Sequence, residues 1–132
     1  MADRILVDTS AFYALSSVAD QFHERATNQY AALIDQRAAL YTTSYVLVEC
    51  MALIHRRLGF AKLETFVSSV QDSVTVVWLD GQHHWAAWHI MNSRQGRGLS
   101  FVDMTTVVLA NALNAKVFAF DEDFAREGLE VI

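Results

Sequence analysis

Ile5-Leu6-Val7-Asp8-Thr9-Ser10-Ala11 is the stretch that decides how this chain folds. Its apolar run suits a short strand buried on both faces, and residues 4–8 read as one. Thr9 or Ser10 can then cap a helix running to about Val18. A buried strand that passes directly into a helix is the opening unit of an alternating α/β chain. The acid, Asp8, stands at the junction.

The rest of the sequence keeps the alternation. Asp20 can cap a helix over 21–39, with Phe22, Ala26, Tyr30, Leu33 and Ile34 at helical spacing. A strand over 40–43 follows, then a helix capped by Ser44 and ending near Gly59, with Arg56 and Arg57 complementing its dipole. A helix over 62–71 precedes a β-branched strand over 74–79. Helices over 80–95 and 100–114, a strand over 116–120, a helical turn over 122–127 and a final strand over 129–132 complete the chain. Short strands that are apolar on both faces imply a parallel sheet with helices on both sides. With no proline and only five glycines, nothing resembles a linker, so one domain over 1–132 is expected.

At 53% hydrophobic residues, burial can offset ordering entropy without disulfides. The one cysteine, Cys50, excludes an internal disulfide and a cysteine zinc cluster. No segment reads as a secretory leader or a membrane helix; the longest apolar candidate, 45–54, is short and carries Glu49. A soluble protein of a reducing cytoplasm is expected. The net charge of −5 argues against a strongly basic nucleic-acid binder.

Four acids interrupt or end apolar runs. Asp8 and Asp121 end strands, Glu49 lies early in a helix, and Asp103 lies in the first turn of another. In open parallel sheets, sites form at the carboxyl ends of the strands, so all four can face one rim. Each aspartate also has a plainer reading. Asp8 and Asp121 can cap the helices that follow, and Ser100 with Asp103 has the spacing of a capping box. Glu49, with apolar neighbours on both sides, is the hardest to explain without a partner, because burying a lone carboxylate costs several kcal/mol. Two carboxylates about 4 Å apart repel by about 4 kcal/mol at an effective dielectric of 20. A nest of them calls for a hard cation such as Mg²⁺ or Mn²⁺, and these ions support phosphodiester hydrolysis. Setting the four aside leaves 11 acids against 10 bases, so the acidity is concentrated in a site.

Taken together, Ile5-Leu6-Val7-Asp8-Thr9-Ser10-Ala11, Asp20-Gln21-Phe22-His23-Glu24-Arg25-Ala26, Glu49, Leu99-Ser100-Phe101-Val102-Asp103 and Val117-Phe118-Ala119-Phe120-Asp121-Glu122-Asp123-Phe124 resemble the PIN-domain ribonucleases, and most closely the VapC-like toxins of type II toxin–antitoxin pairs. The resemblance implies a three-layer PIN-like α/β fold, with a mostly parallel sheet of about five short strands flanked by helices. It implies a metal-dependent endoribonuclease using Mg²⁺ or Mn²⁺. Asp8 and Asp103 match the direct metal ligands. Glu49 and Asp121 match positions that ligate directly or through water and orient the attacking water. Asp123 matches an auxiliary acid, and Ser10 and Ser100 match small hydroxyl positions beside the site. It also implies an RNA substrate, a small antitoxin partner and a homodimer. A catalytically silent PIN-like binding module is the alternative.

Two other families start with an acid after the first strand. A haloacid dehalogenase-type phosphatase needs a second acid where Ser10 stands. A receiver module needs an acid pair at that point and a lysine at the far end of a late strand, whereas Lys116 begins its strand. Arg94-Gln95-Gly96-Arg97-Gly98 can position RNA through its arginines or simply close a helix at Gly96; the second reading is preferred. His83, His84 and His89 lack the spacing of a zinc helix and read as a solvated face. His23 reads as a turn-stabilising residue, and Trp78, Trp85 and Trp88 as core or interface aromatics. Met51, Leu58, Phe60, Leu63 and Phe66 fit either core packing or a partner surface.

Overall fold

The opening stretch does what its residue types dictate. In the computed structural model, which describes residues 2–132, β1 (Arg4–Val7) leads directly into α1 (Thr9–Ser16). Ile5, Leu6 and Val7 are all buried, so neither face of β1 meets water. There follow α2 (His23–Asp35), β2 (Ala39–Thr43), α3 (Ser44–Leu58), α4 (Phe60–Ser73) and β3 (Thr75–Val77). Then come α5 (Gly81–Ser93), α6 (Phe101–Leu113), β4 (Lys116–Phe118) and α7 (Asp123–Arg126).

The strands form one parallel sheet in the order β3-β2-β1-β4. β1 lies inside it, with Ile5 paired to Leu40 on one side and to Lys116 on the other. Side chains alternate between the faces of a strand. Ile5, Val7 and Phe118 join one core with Phe12, Val46, Ile54 and Phe66. Leu6 and Val117 join a second core with Met104, Val107 and Phe124. Helices therefore cover both faces, giving the three layers expected.

The expected fifth strand is reduced to a single parallel bridge between Val117 and Val131. There the Val117 N–H donates to the Glu130 carbonyl at 2.8 Å, and the Ile132 N–H donates to the Val117 carbonyl at 3.0 Å. The chain meets β4 at one residue after a left-handed turn at Gly128 (φ +84°).

Helix starts also differ from expectation by a residue or two. Asp8, not Thr9 or Ser10, holds the N-cap position of α1, and its side chain makes no capping bond there. The Asp20 carboxylate accepts the Phe22 N–H at 2.8 Å and closes a turn, so α2 begins later, at His23. Thr43, not Ser44, caps α3, its hydroxyl accepting the Val46 N–H at 2.9 Å. The Ser44 hydroxyl instead accepts the Leu79 N–H at 3.0 Å and ties α3 to the chain leaving β3. Removing the Thr43 cap by Thr43→Ala should cost about 1 kcal/mol in urea melts. An unchanged midpoint would show that the buried hydroxyl contributes nothing net.

Candidate active site

All strands of a parallel sheet end on the same rim, and the four acids reach that rim from four different elements. Asp8 follows β1, Glu49 projects from α3, Asp103 sits in the first turn of α6, and Asp121 follows β4. All four line one open cleft of about 670 Å³.

Asp8 is the most constrained. It is only 2% exposed. Its backbone N–H donates to the Phe118 carbonyl at 3.1 Å, which extends the seam between β1 and β4. One carboxylate oxygen accepts the Thr106 hydroxyl at 3.0 Å. Burial pushes the carboxyl up to about 8, and the neighbouring charges of Asp103 and Glu49 push the same way. The Thr106 hydroxyl and the Thr9 N–H offset part of that rise.

Asp103 serves two purposes. It closes a capping box with Ser100: the Ser100 N–H donates to the Asp103 carboxylate at 3.1 Å, and the Asp103 N–H donates to the Ser100 hydroxyl at 3.2 Å. The plain reading of this residue is therefore correct, and the residue still faces the cleft. Burial also raises its pKa, the Ser100 bonds oppose the rise, and the charges of Glu49 and Asp121 add to it. Asp121 accepts the Asp123 N–H at 2.9 Å. The Ser10 hydroxyl accepts the Phe120 N–H at 2.9 Å, which fixes the chain just before Asp121 against α1. A carboxylate has about four lone-pair sites, so one such bond leaves each aspartate able to accept more.

The donor set is all oxygen, which suits a hard divalent cation. Among the described residues, no three His, Cys, Asp or Glu side chains converge into a finished metal cage. Mutual repulsion of like charges accounts for carboxylates that share a cleft without closing on one another. The Cys50 thiol is buried, and burial drives its pKa up, which removes it from thiolate chemistry.

Several cleft residues escaped the sequence reading. Thr106 holds Asp8; its signal was the polar Thr105-Thr106 pair inside an apolar helix, three residues after Asp103. Tyr13, Asp20, Glu122 and Arg126 also line the cleft. Asp123 lines it too, and its carboxylate accepts from the Arg126 guanidinium at 2.7 Å.

Other expectations resolve plainly. The His23 Nδ1–H donates to the Ala14 carbonyl at 2.7 Å, the turn-stabilising role expected. His83 completes the cap of α5 with Asp80. His84 is not solvated as expected; it is half-buried, paired at 2.7 Å with the Tyr45 hydroxyl and packed near Phe101. Trp78, Trp85 and Trp88 are exposed, so the core reading of these rings is wrong. Phe66 is core, whereas Phe60 is exposed. Arg94 is committed to a two-pronged pair with Glu127 at 2.9 and 3.1 Å. Arg97 donates to the Gln95 side chain at 2.9 Å, outside the residues lining the cleft.

Known proteins share this fold. The family model "PIN domain" matches residues 5–128. A VapC ribonuclease of Archaeoglobus fulgidus is 25% identical over 124 residues, covering 91% of this chain and 78% of that protein. The crystal structure of Mycobacterium tuberculosis VapC20, a sarcin-ricin loop cleaving toxin, superposes with a TM-score of 0.85 at 27% identity, covering 95% of each chain. VapBC2 from Rickettsia felis, solved bound to a DNA fragment from its promoter, shares the fold with a TM-score of 0.76 at 12% identity, covering 98% of this chain and 97% of that one. With four acids from four elements on the carboxyl rim of a parallel sheet, and a family match over nearly its whole length, this chain belongs to the PIN-domain family, in its VapC-like branch.

Proposed function

We propose that this protein is a Mg²⁺- or Mn²⁺-dependent endoribonuclease that hydrolyses RNA phosphodiester bonds and acts as the toxin of a toxin–antitoxin pair. The observation that carries this reading is the convergence of Asp8, Glu49, Asp103 and Asp121 on one cleft, with Asp8 buried among like charges. Those four side chains would hold the cation. When bound, it supplies a Lewis acid for water attack on phosphorus and offsets charge on the phosphate oxygens.

The chain's own residues do the positioning. Thr106 fixes the Asp8 carboxylate, and the Ser100 cap fixes Asp103 at the start of α6. The Asp123 N–H and the Ser10 clip fix Asp121. Glu49 on α3 and Asp121 after β4, both half-buried, would orient the attacking water. Because these groups are set before substrate arrives, little reorganisation is left for the reaction itself.

The relatives' pairing with antitoxins supports a small antitoxin partner here. Self-association into a homodimer has an apolar surface to use. Trp85 and Trp88 on α5 and Val48 on α3 are exposed, and the Tyr45–His84 contact links the two helices. The proposed site of action is the cytoplasm; no helix among the described residues is long and apolar enough to cross a membrane.

The test is direct. Purified protein should cut single-stranded RNA with Mg²⁺ or Mn²⁺, and EDTA should stop it until the metal is restored in excess. Cleavage that survives EDTA sinks the metal reading. Absence of cleavage with partner binding intact favours the silent binding module.

A further inference from the structure

The acid cleft poses a problem for the reading above. A polyanion must approach a molecule of net charge −5, at its most acidic point. The placement of the arginines answers it. Many cations elsewhere are committed: Arg4 donates to the Leu113 carbonyl, Lys116 pairs with Asp3, and Arg94 pairs with Glu127. Three others stand at the cleft.

Arg126 is the one cation among the described residues that line the acid cleft. Its side chain is 78% exposed and pairs with Asp123 across three residues of α7. Such an exposed pair is weak, so Arg126 can exchange Asp123 for a phosphate. Arg25 lies on the neighbouring groove, which shares Phe22, Phe120, Asp121, Glu122 and Arg126 with the cleft. Its guanidinium sits 5.6 Å from the centre of the Phe120 ring, and Phe22 is stacked on Phe120 at 4.6 Å. The ring pair therefore braces Arg25 and leaves its donors for an acceptor outside. Arg57, on α3, stands beside the cleft, its guanidinium 5.7 Å from the ring centre of Tyr13, which lines it. Glu49, Leu53 and Arg57 fall at four-residue spacing on one face of that helix, and Tyr13, Glu49 and Leu53 line the cleft.

We propose that Arg25, Arg57 and Arg126 form a rim that grips the backbone phosphates of single-stranded RNA flanking the bond to be cut. This inference rests on the ribonuclease reading for its substrate. RNA is favoured over an acidic protein segment because the groove borders the acid cleft and shares five lining residues with it, and the reacting phosphate must lie in that cleft. Every nucleotide beyond it brings a further phosphate to the rim.

Two measurements test the rim. In steady-state cleavage, Arg25→Ala and Arg126→Ala should each raise KM about fivefold to tenfold, with kcat within about twofold. Arg126→Lys, which keeps the charge, should recover most of the loss, and Arg37→Ala, at the turn before β2, should change nothing. Separately, a fluorescein-labelled single-stranded RNA is titrated in EDTA, where no cleavage occurs. There the slope of log affinity against log salt should flatten by about 0.7 for each arginine removed. If the triple alanine variant binds RNA with wild-type affinity and salt slope, the rim is refuted, even when cleavage is normal. It is equally refuted if that variant keeps RNA binding and loses only a protein partner. If the wild type binds RNA through these arginines and never cuts it, the rim stands and the hydrolase reading falls.

Discussion

Asp8→Asn should lower RNA cleavage by about three orders of magnitude and, at the same time, make the metal-free protein more stable. The first effect follows from removing a charged oxygen donor at the centre of the site; a loss of about 4 kcal/mol in transition-state stabilisation corresponds to that factor. The second follows from where the carboxylate sits. Burial pushes Asp8 from 3.8 up to about 8 in the folded metal-free state. An acid with a raised folded pKa costs nothing below its unfolded pKa, and its contribution is lost as pH rises through the folded one. Metal-free wild type should therefore lose stability on this account between about pH 4 and pH 8. Asparagine keeps an acceptor for the Thr106 hydroxyl and carries no charge. At pH 8 the variant should gain on the order of a few kcal/mol, seen as a melting temperature roughly 5–10 °C higher. Added Mg²⁺ should stabilise the wild type and leave the variant unmoved. A variant that melts lower than wild type across this range would mean that Asp8 is a structural carboxylate.

Asp103 separates its two roles under substitution. Asp103→Asn can still accept the Ser100 N–H, so α6 keeps its cap while the site loses a charge. Asp103→Ala loses the charge and the reciprocal bond from the Ser100 N–H, keeping only the bond to the Ser100 hydroxyl. The expected pattern is cleavage reduced by about three orders of magnitude in each variant. Stability should be near wild type in the first and lower by about 1 kcal/mol in the second. Single-turnover cleavage beside urea melts reads both quantities. Full activity in the asparagine variant would leave Asp103 as a cap and nothing more.

The fold was legible wherever side-chain type alone settles burial. Ile5-Leu6-Val7 reads as a doubly buried strand because no polar group interrupts it, and the alternation of strands and helices then implies a parallel three-layer sheet. Ends were less legible. Thr43 and Ser44 are both competent caps, and only the chain leaving β3, which claims the Ser44 hydroxyl through Leu79, decides between them. The last strand was over-read for a similar reason. Leu129 to Ile132 has the composition of a strand, but only Val131 finds a bridge partner.

The gathering of the four acids was legible because Asp8 and Asp121 follow strands and Asp103 and Glu49 lie early in helices, all on one rim. What supports them was not. Thr106 is 98 residues from Asp8, and nothing in local sequence ties the two together. The tryptophans misled in the opposite direction. Large rings suggest a core, but Trp78 and Trp85 are exposed, and a sequence cannot say which apolar surface is left for another molecule.

The seam between β1 and β4 also has a bearing on when the acid cleft can form. Asp8 is made well before Phe118, whose carbonyl holds its backbone, and Asp121 comes later still. A chain emerging from a ribosome therefore carries most of its helices before its site can close. Assembly of the cleft waits until β4 and the chain after it are made. On the ribonuclease reading proposed above, this order of events would keep the growing chain from cutting the message that encodes it.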